Sequence, residues 1–227
     1  MSEKINMEKF CDSISKDYAE LLKNKLEEKE FEVVIKHINK KHKVLDLCCG
    51  TGRYLIPLTK LRYKIEGIDF SKGMINQAEA YAKKDKVNIK IEQGDATSIN
   101  KKDSSYDVVL LLGDSLGSIP GRFNRQKALD ESYRILKKNA ILICMVGNRN
   151  ANFKFFLQHI KQYISNLFNH NFVYGDRIYD FLGSKGIHHD YSKFEIEKSM
   201  RKSKFNIIDV VKGTDDLSHK IIYVCKK

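Results

Sequence analysis

Between Lys43 and Val146 short apolar runs alternate with longer stretches in which apolar residues recur at helical spacing. The short runs are Lys43–Cys48, Lys64–Asp69, Asn88–Glu92, Tyr106–Leu112 and Ala140–Val146. Most are nearly continuous in Val, Ile and Leu, the pattern of parallel strands covered on both faces. The stretches between them predict helices. One carries Tyr54, Leu55, Leu58 and Leu61, one runs from Gly73 to Lys84, and one covers 121–138 with Ala128, Leu129, Tyr133 and Leu136 inward. Successive strand starts lie roughly 20–35 residues apart, matching the βαβ unit of about 30 residues.

The flanks read differently. Residues 5–26 predict an amphipathic helix with Ile14, Tyr18, Leu21, Leu22 and Lys25 at near-helical spacing and Phe10 and Cys11 one turn earlier. A second helix, Glu28–Asn39, places Phe31, Val34, Ile35 and Ile38 on one side. Both precede the first strand and stand outside its sheet. Residues 148–190 are the least regular: a helix with Phe153, Phe156, Ile160, Tyr163, Ile164 and Leu167, an aromatic run over 172–181 extending as one or two strands, then a loop through Gly186-Ile187-His188-His189-Asp190-Tyr191. Ser192 and Glu195 have the spacing of a capping box for a helix through Met200. A hairpin ends the chain, strands Asn206–Val211 and Lys220–Cys225 around a polar turn through Asp215-Asp216.

At 227 residues and 42% hydrophobic content, the chain suits one domain with a substantial core. It divides into N-terminal cap helices (1–42), a core (43–147), an insertion (148–190) and a terminal helix with hairpin (191–227). No apolar run approaches the ~18 residues of a membrane span, so no membrane partner is expected. The start of the chain lacks a secretory layout, and five cysteines form no C-x-x-C pair. Buried thiols in a reducing, cytoplasmic setting follow. The net charge of +12 fits an RNA-facing surface. Its lysines, however, are spread in small clusters along the chain, and solvated faces account for them equally well.

Candidate chemistry gathers where the strands end. Val44-Leu45-Asp46-Leu47-Cys48-Cys49-Gly50-Thr51-Gly52-Arg53 is a strand, a glycine turn and a helix start. Gly50 and Gly52 permit torsions and approaches that a Cβ would block, and the helix start offers free N–H groups to a ligand. A dinucleotide fingerprint would need a third glycine where Leu55 stands. The second strand ends on Asp69, roughly 20 residues past the turn, where a carboxylate can hold a ribose diol. Ser71 suits the N-cap of the next helix. Gly94-Asp95-Ala96 follows the third strand and Gly113-Asp114 the fourth.

Asp-x-x-x-Gly-x-Gly after a hydrophobic strand, followed by Gly67-Ile68-Asp69-Phe70-Ser71-x-x-Met74, Gly94-Asp95 and the Tyr106-Asp107 strand start, resembles the class I S-adenosylmethionine (SAM)-dependent methyltransferases. The likeness covers residues 43–147, and the terminal hairpin by pattern alone. It implies an α/β, Rossmann-like doubly wound sheet of seven strands, the last antiparallel, with N-terminal cap helices and an insertion after strand five. It implies SAM as cofactor: Asp46, Gly50, Gly52 and Arg53 around the methionine and ribose, Asp69 on the ribose, Phe70 and Met74 on the adenine, Asp95 and the Ala96 N–H on the adenine edge, and the Leu112 carbonyl on the amino group. Tyr18 either covers the cofactor or packs between helices. Lys138-Asn139-Ala140 departs from the family's usual turn.

Methyl transfer needs alignment and exclusion of water, and a base only where the acceptor arrives protonated. Asp114 either orients an acceptor or caps a turn. His188 and His189 are the nearest groups to base chemistry, although two adjacent loop histidines are ordinarily exposed. No carboxylate or cysteine has ligand spacing to them, so no metal is expected. The aromatic insertion favours a small-molecule acceptor methylated on N or O. An RNA (tRNA) methyltransferase, a non-catalytic SAM-binding regulatory subunit and an NAD-dependent dehydrogenase are the competing readings. Leu55 and the hairpin weigh against the dehydrogenase.

Overall fold

The computed structural model describes residues 5–22, 28–166, 173–213 and 219–227. Lys25, Leu167, Phe172 and the Asp215-Asp216 turn lie outside them. Helices α1 (Met7–Leu22) and α2 (Glu28–His37) lead. The core follows as β1 (Lys43–Leu47), α3 (Leu55–Lys60), β2 (Lys64–Asp69), α4 (Lys72–Lys84), β3 (Ile91–Gln93), β4 (Tyr106–Leu111), α5 (Ser115–Ser118), α6 (Arg122–Ile135) and β5 (Leu136–Gly147). Beyond it come α7 (Phe153–Ser165), β6 (Asp176–Phe181), β7 (Ser184–His189), α8 (Lys193–Lys202), β8 (Asn206–Lys212) and β9 (Lys220–Lys226).

Seven strands form one sheet in the order β3-β2-β1-β4-β5-β9-β8, and β6 pairs with β7 separately. β1 to β5 run parallel, whereas β9 lies antiparallel between β5 and β8. The Rossmann-like α/β sheet with an antiparallel last strand is thus present. The chain winds outward from β1 to β3, then returns to β4 on the other side of β1. That reversal opens a crevice at the carboxyl ends of β1 and β4. Val44, Leu45 and Leu47 are fully buried, as a central strand requires, each worth about 1.5–3 kcal/mol over exposure. Apolar clusters pack on both sheet faces.

Several expectations need correction. Leu21 and Leu61 are exposed; α3 ends at Lys60, so Leu61 is its C-cap and not part of its packed face. β3 is only three residues long and begins at Ile91. β5 starts at Leu136, immediately after α6; Asn139 takes φ +65° inside it, where the pairing with β4 shifts register between Tyr106 and Val108. Buried Arg125 and Ser132 join the inward face of α6. The adjacent histidines are on strand β7, not in a loop, and both are buried. Ser192 Oγ accepts from Glu195 N as a cap should, but the Glu195 carboxylate turns to His189 and Arg149.

The N-terminal helix is tied to the core by one carboxylate. Asp12 Oδ1 accepts from Ser71 Oγ (2.6 Å) and Gly73 N (2.8 Å), so α1 caps α4. Its opposite side meets the β6–β7 hairpin, Phe10 edge-on to Tyr179 (5.4 Å) and Tyr18 against Phe181 (6.3 Å). α1 is therefore wedged between α4 and the hairpin. Among the described residues no helix is long and apolar enough to cross a membrane.

Candidate cofactor and acceptor site

A cavity of about 620 Å³ fills the crevice, within the range of small-molecule sites. Its floor is the strand tips: Leu47, Cys48 and Gly50 after β1, Asp69 and Phe70 after β2, Gly94 to Thr97 after β3, and Gly113, Ser115 and Ser118 after β4. Its roof is Met7, Phe10, Ile14 and Tyr18 of α1 with Tyr179 of the hairpin. A smaller pocket of about 40 Å³ lies between Asp46, Gly50, Arg53, Leu112 and Tyr18.

The structure gathers most of the residues singled out from sequence. Tyr18, Gly50, Asp69, Phe70, Met74, Asp95 and Ala96 line the cavity, and Asp46, Arg53 and Leu112 line the small pocket. Gly52 lines neither. Its φ of +81° turns the chain into α3, where its carbonyl accepts from Ile56 N. Asp95 is exposed and accepts from Thr97 N (2.7 Å). The Leu112 carbonyl accepts from Ser115 Oγ (2.7 Å) and Ser115 N (3.2 Å).

Two buried acids dominate the electrostatics. Asp69 is pinned by backbone donors, Gly50 N on Oδ2 (2.8 Å) and Ser71 N on Oδ1 (2.9 Å). Burial nonetheless pushes its carboxyl up to about 6, over the opposing pull of those N–H groups. Burial, and then the charge of Asp69, push Asp46 up to about 8. Asp46 Oδ2 is buried without a hydrogen-bond partner. Such an atom is costly unless something pairs with it. The cavity thiols are inert by the same physics: burial pushes Cys11 up to about 12 and Cys48 well above its ordinary value.

Sequence reasoning missed Glu30, which is fully buried. Its Oε1 accepts from Gly113 N (3.0 Å) and its Oε2 from the Tyr54 hydroxyl. Its signal was positional, one helical turn before Val34 on the buried face of α2.

Residues 44–139 match the family model described as a methyltransferase domain. The core of the chain, from β1 to the start of β5, is thus similar to a methyltransferase domain. A demethylmenaquinone methyltransferase of Lactiplantibacillus plantarum is 34% identical over 114 residues, 48% of this chain and 46% of that protein. One from Staphylococcus aureus is 33% identical over 111 residues, covering 48% and 44%. The chain thus spans just under half the length of these curated relatives. A SAM-dependent methyltransferase of Methanosarcina mazei superposes with a TM-score of 0.76 over 86% of this chain and 96% of its own, at 20% identity.

Set in the methyltransferase fold, the three residues expected to do acid–base work line neither pocket. Asp114, itself at φ +62°, is the residue before α5 in the post-β4 loop and is buried. Its Oδ1 accepts from Gly147 N (2.8 Å), and its Oδ2 meets His188 Nε2 (2.9 Å) and the Lys220 ammonium. Burial works to raise it, but His188 and Lys220 outweigh that and hold its carboxyl below the usual range. His188 Nδ1 faces Ser118 Oγ at 3.2 Å, and Ser118 does line the cavity. Gly117 lets the imidazole lie this close: a Cβ there would be 2.6 Å from His188 Cε1 and 2.5 Å from the His189 carbonyl. His189 points elsewhere, Nδ1 to Asp176 (2.7 Å) and Nε2 to Glu195 (3.0 Å).

The expectation that no carboxylate lies at ligand distance from the histidines is overturned. Oxygens of Asp114 and Asp190 and a nitrogen of His188 fall within 4.8 Å of one another. Asp190 Oδ2 also meets His159 Nε2 (3.0 Å) and Arg177 Nε (2.9 Å). Burial opposes its ionisation, yet His159, His188, Arg177 and Lys220 together hold it well below the carboxylate range. Lys220 and Arg177 already match the two carboxylate charges, so the protein supplies the cations itself.

Proposed function

We propose that the chain is a SAM-dependent methyltransferase that methylates a small molecule on N or O. The observation that carries this reading is the unpartnered Asp46 Oδ2, buried beside a pocket that adjoins a roofed cavity floored by Gly50, Asp69 and Asp95. An ammonium suits that oxygen, a ribose diol suits Asp69, and an adenine fits between Phe70, Met74 and the Asp95-Ala96 turn. When bound, SAM supplies an electrophilic methyl group on its sulfonium. The chain's own work is to hold the reactants in line and exclude water. The roof of Met7, Phe10, Tyr18 and Tyr179 over the strand tips favours a small acceptor over RNA, as do the relatives named for demethylmenaquinone.

Ser118 is the polar side chain through which the buried dyad reaches the cavity. A proton released by an acceptor at Ser118 Oγ passes to His188 Nδ1 as Ser118 hands over its own, while Nε2–H stays on Asp114. Asp190 Oδ1 lies 3.7 Å from the same Nε2. His189 stands outside that path and holds the hairpin to α8.

Thermal-shift measurements test the cofactor reading. SAM and S-adenosylhomocysteine raise the melting temperature and NAD does not. A shift with NAD alone, or none with either sulfur compound, would remove the basis for it. Crystals grown with S-adenosylhomocysteine place the sugar on Asp69 if the reading is right.

A further inference from the structure

Helix α7 turns two polar side chains to the protein and an apolar stripe outward. His159 is buried and bonded to Asp190, and Gln162 brackets the Ile178 backbone, accepting from its N–H (3.0 Å). Phe153, Leu157, Ile160 and Ile164 follow at i, i+4, i+7 and i+11, one stripe on the helix surface. Phe153 is 74% exposed, Ile164 60% and Leu157 46%, with Tyr163 on the flank. Lys154 and Lys161 run along the other flank, both exposed. An ordinary surface helix has the reverse arrangement.

Charge narrows the choice of occupant. The chain holds 29 acidic residues, yet none lies between Glu131 and Asp176. On α7 itself the charged residues are Lys154 and Lys161, both exposed. A second copy fits this face poorly, because a two-fold contact through α7 sets Lys154 and Lys161 against their own counterparts. Area argues the same way. The exposed apolar side chains offer on the order of 400 Å², about half the ~800 Å² per partner of a standard protein interface. A bilayer has no such requirement. An aromatic and aliphatic stripe flanked by lysines, on a helix of 13 residues, is the form that lies in the headgroup layer of an anionic membrane.

We propose that α7 seats the protein on an anionic lipid surface, its Phe153–Leu157–Ile164 stripe in the acyl boundary and Lys154 and Lys161 among the headgroup phosphates. This contact is peripheral.

The chain has no tryptophan, so Phe153→Trp creates a single reporter on the stripe. With the full chain, vesicles of phosphatidylcholine mixed with phosphatidylglycerol blue-shift its emission, and vesicles of phosphatidylcholine alone do so more than tenfold less effectively. Flotation of the unmodified chain with the same vesicles shows the same preference. Lys154→Gln with Lys161→Gln weakens partition to the anionic vesicles by roughly thirtyfold. Phe153→Ser with Ile164→Ser abolishes flotation and leaves the melting temperature unchanged, since neither side chain is in the core. The proposal is overturned by absence of flotation and of a blue shift on anionic vesicles, by equal binding to neutral vesicles, or by flotation that survives the double serine variant. Concentration-dependent dimerisation that the double serine variant abolishes, with no vesicle binding, assigns the face to a second copy instead.

Discussion

Asp46 offers the sharpest test of the donor pocket, because its pairing with a ligand has a proton signature. Its carboxyl stands at about 8 in the free protein through burial and the neighbouring charge of Asp69. Near pH 7 it is therefore mostly protonated. A ligand ammonium beside Oδ2 favours the carboxylate, so binding expels a proton, and affinity rises with pH while the free protein stays protonated. Between about pH 6 and about pH 7 the ionised fraction of a group at about 8 grows about tenfold, and the affinity for S-adenosylhomocysteine grows with it. Calorimetry in two buffers of different ionisation enthalpy reads the proton directly. Asp46→Asn flattens the profile and binds less tightly at pH 7. Stability moves the other way. Because the folded-state value is raised, Asp46 costs nothing below about pH 4 and becomes destabilising as pH rises toward 8. Asp46→Asn therefore melts higher than the parent at pH 8, by on the order of a few kcal/mol in unfolding free energy. A pH-independent affinity in the parent chain, or the same slope in the variant, would refute the assignment.

Lys220→Met leaves the Asp114 and Asp190 carboxylates without one of their cations and costs about 3 kcal/mol in urea unfolding. Both acids sit below the ordinary carboxylate value, so their stabilisation is present above about pH 4 and lost as pH falls; in the variant that loss begins at higher pH, and an unchanged acid limb would count against the network. Gly117→Ala drives a Cβ into the His189 carbonyl and His188 ring and destabilises by about 1–3 kcal/mol, unless equilibrium unfolding shows the loop giving way freely. Ser71→Ala removes both the α4 cap and the hydroxyl that reaches Asp12, lowering stability by about 1–2 kcal/mol. Hydrogen exchange in α1 should quicken with it, and α1 protection equal to the parent's would show the tie to be idle.

The strand-tip side of the cavity was legible in the sequence because its signals are local. Asp46 and Gly50, Asp69 and Ser71, and Gly94 and Asp95 each sit within one strand-and-turn, where hydrophobic run, glycine and acid specify the element and its end. The parallel order follows from the same repetition. The buried charge cluster behind Ser118 was not legible, because its contacts join distant parts of the chain. Asp114 meets His188 across 74 residues and Lys220 across 106, and no spacing rule connects them. Glu30 drew no reading from the sequence, although it holds Gly113 N. β7 was read as a loop because Gly186 and two histidines break the apolar alternation by which a strand is recognised.

The same long-range contacts explain why the insertion can form a fixed wall. Asp114 alone joins the post-β4 loop to β5 through Gly147 N, to β7 through His188 and to β9 through Lys220. Asp190 extends that cluster to β6 through Arg177 and to α7 through His159. Buried charges with little access to water hold such joints to one arrangement, because losing any partner leaves an uncompensated ion. Five elements thus meet on two carboxylates. α7 cannot tilt on its support without disturbing Asp190, whose other oxygen lies 3.7 Å from His188, the ring that faces the cavity-lining Ser118. The face proposed to meet lipid and the wall proposed to receive the acceptor are two ends of one polar scaffold, so a change at His159 reaches Ser118 through groups that are all buried or held in place.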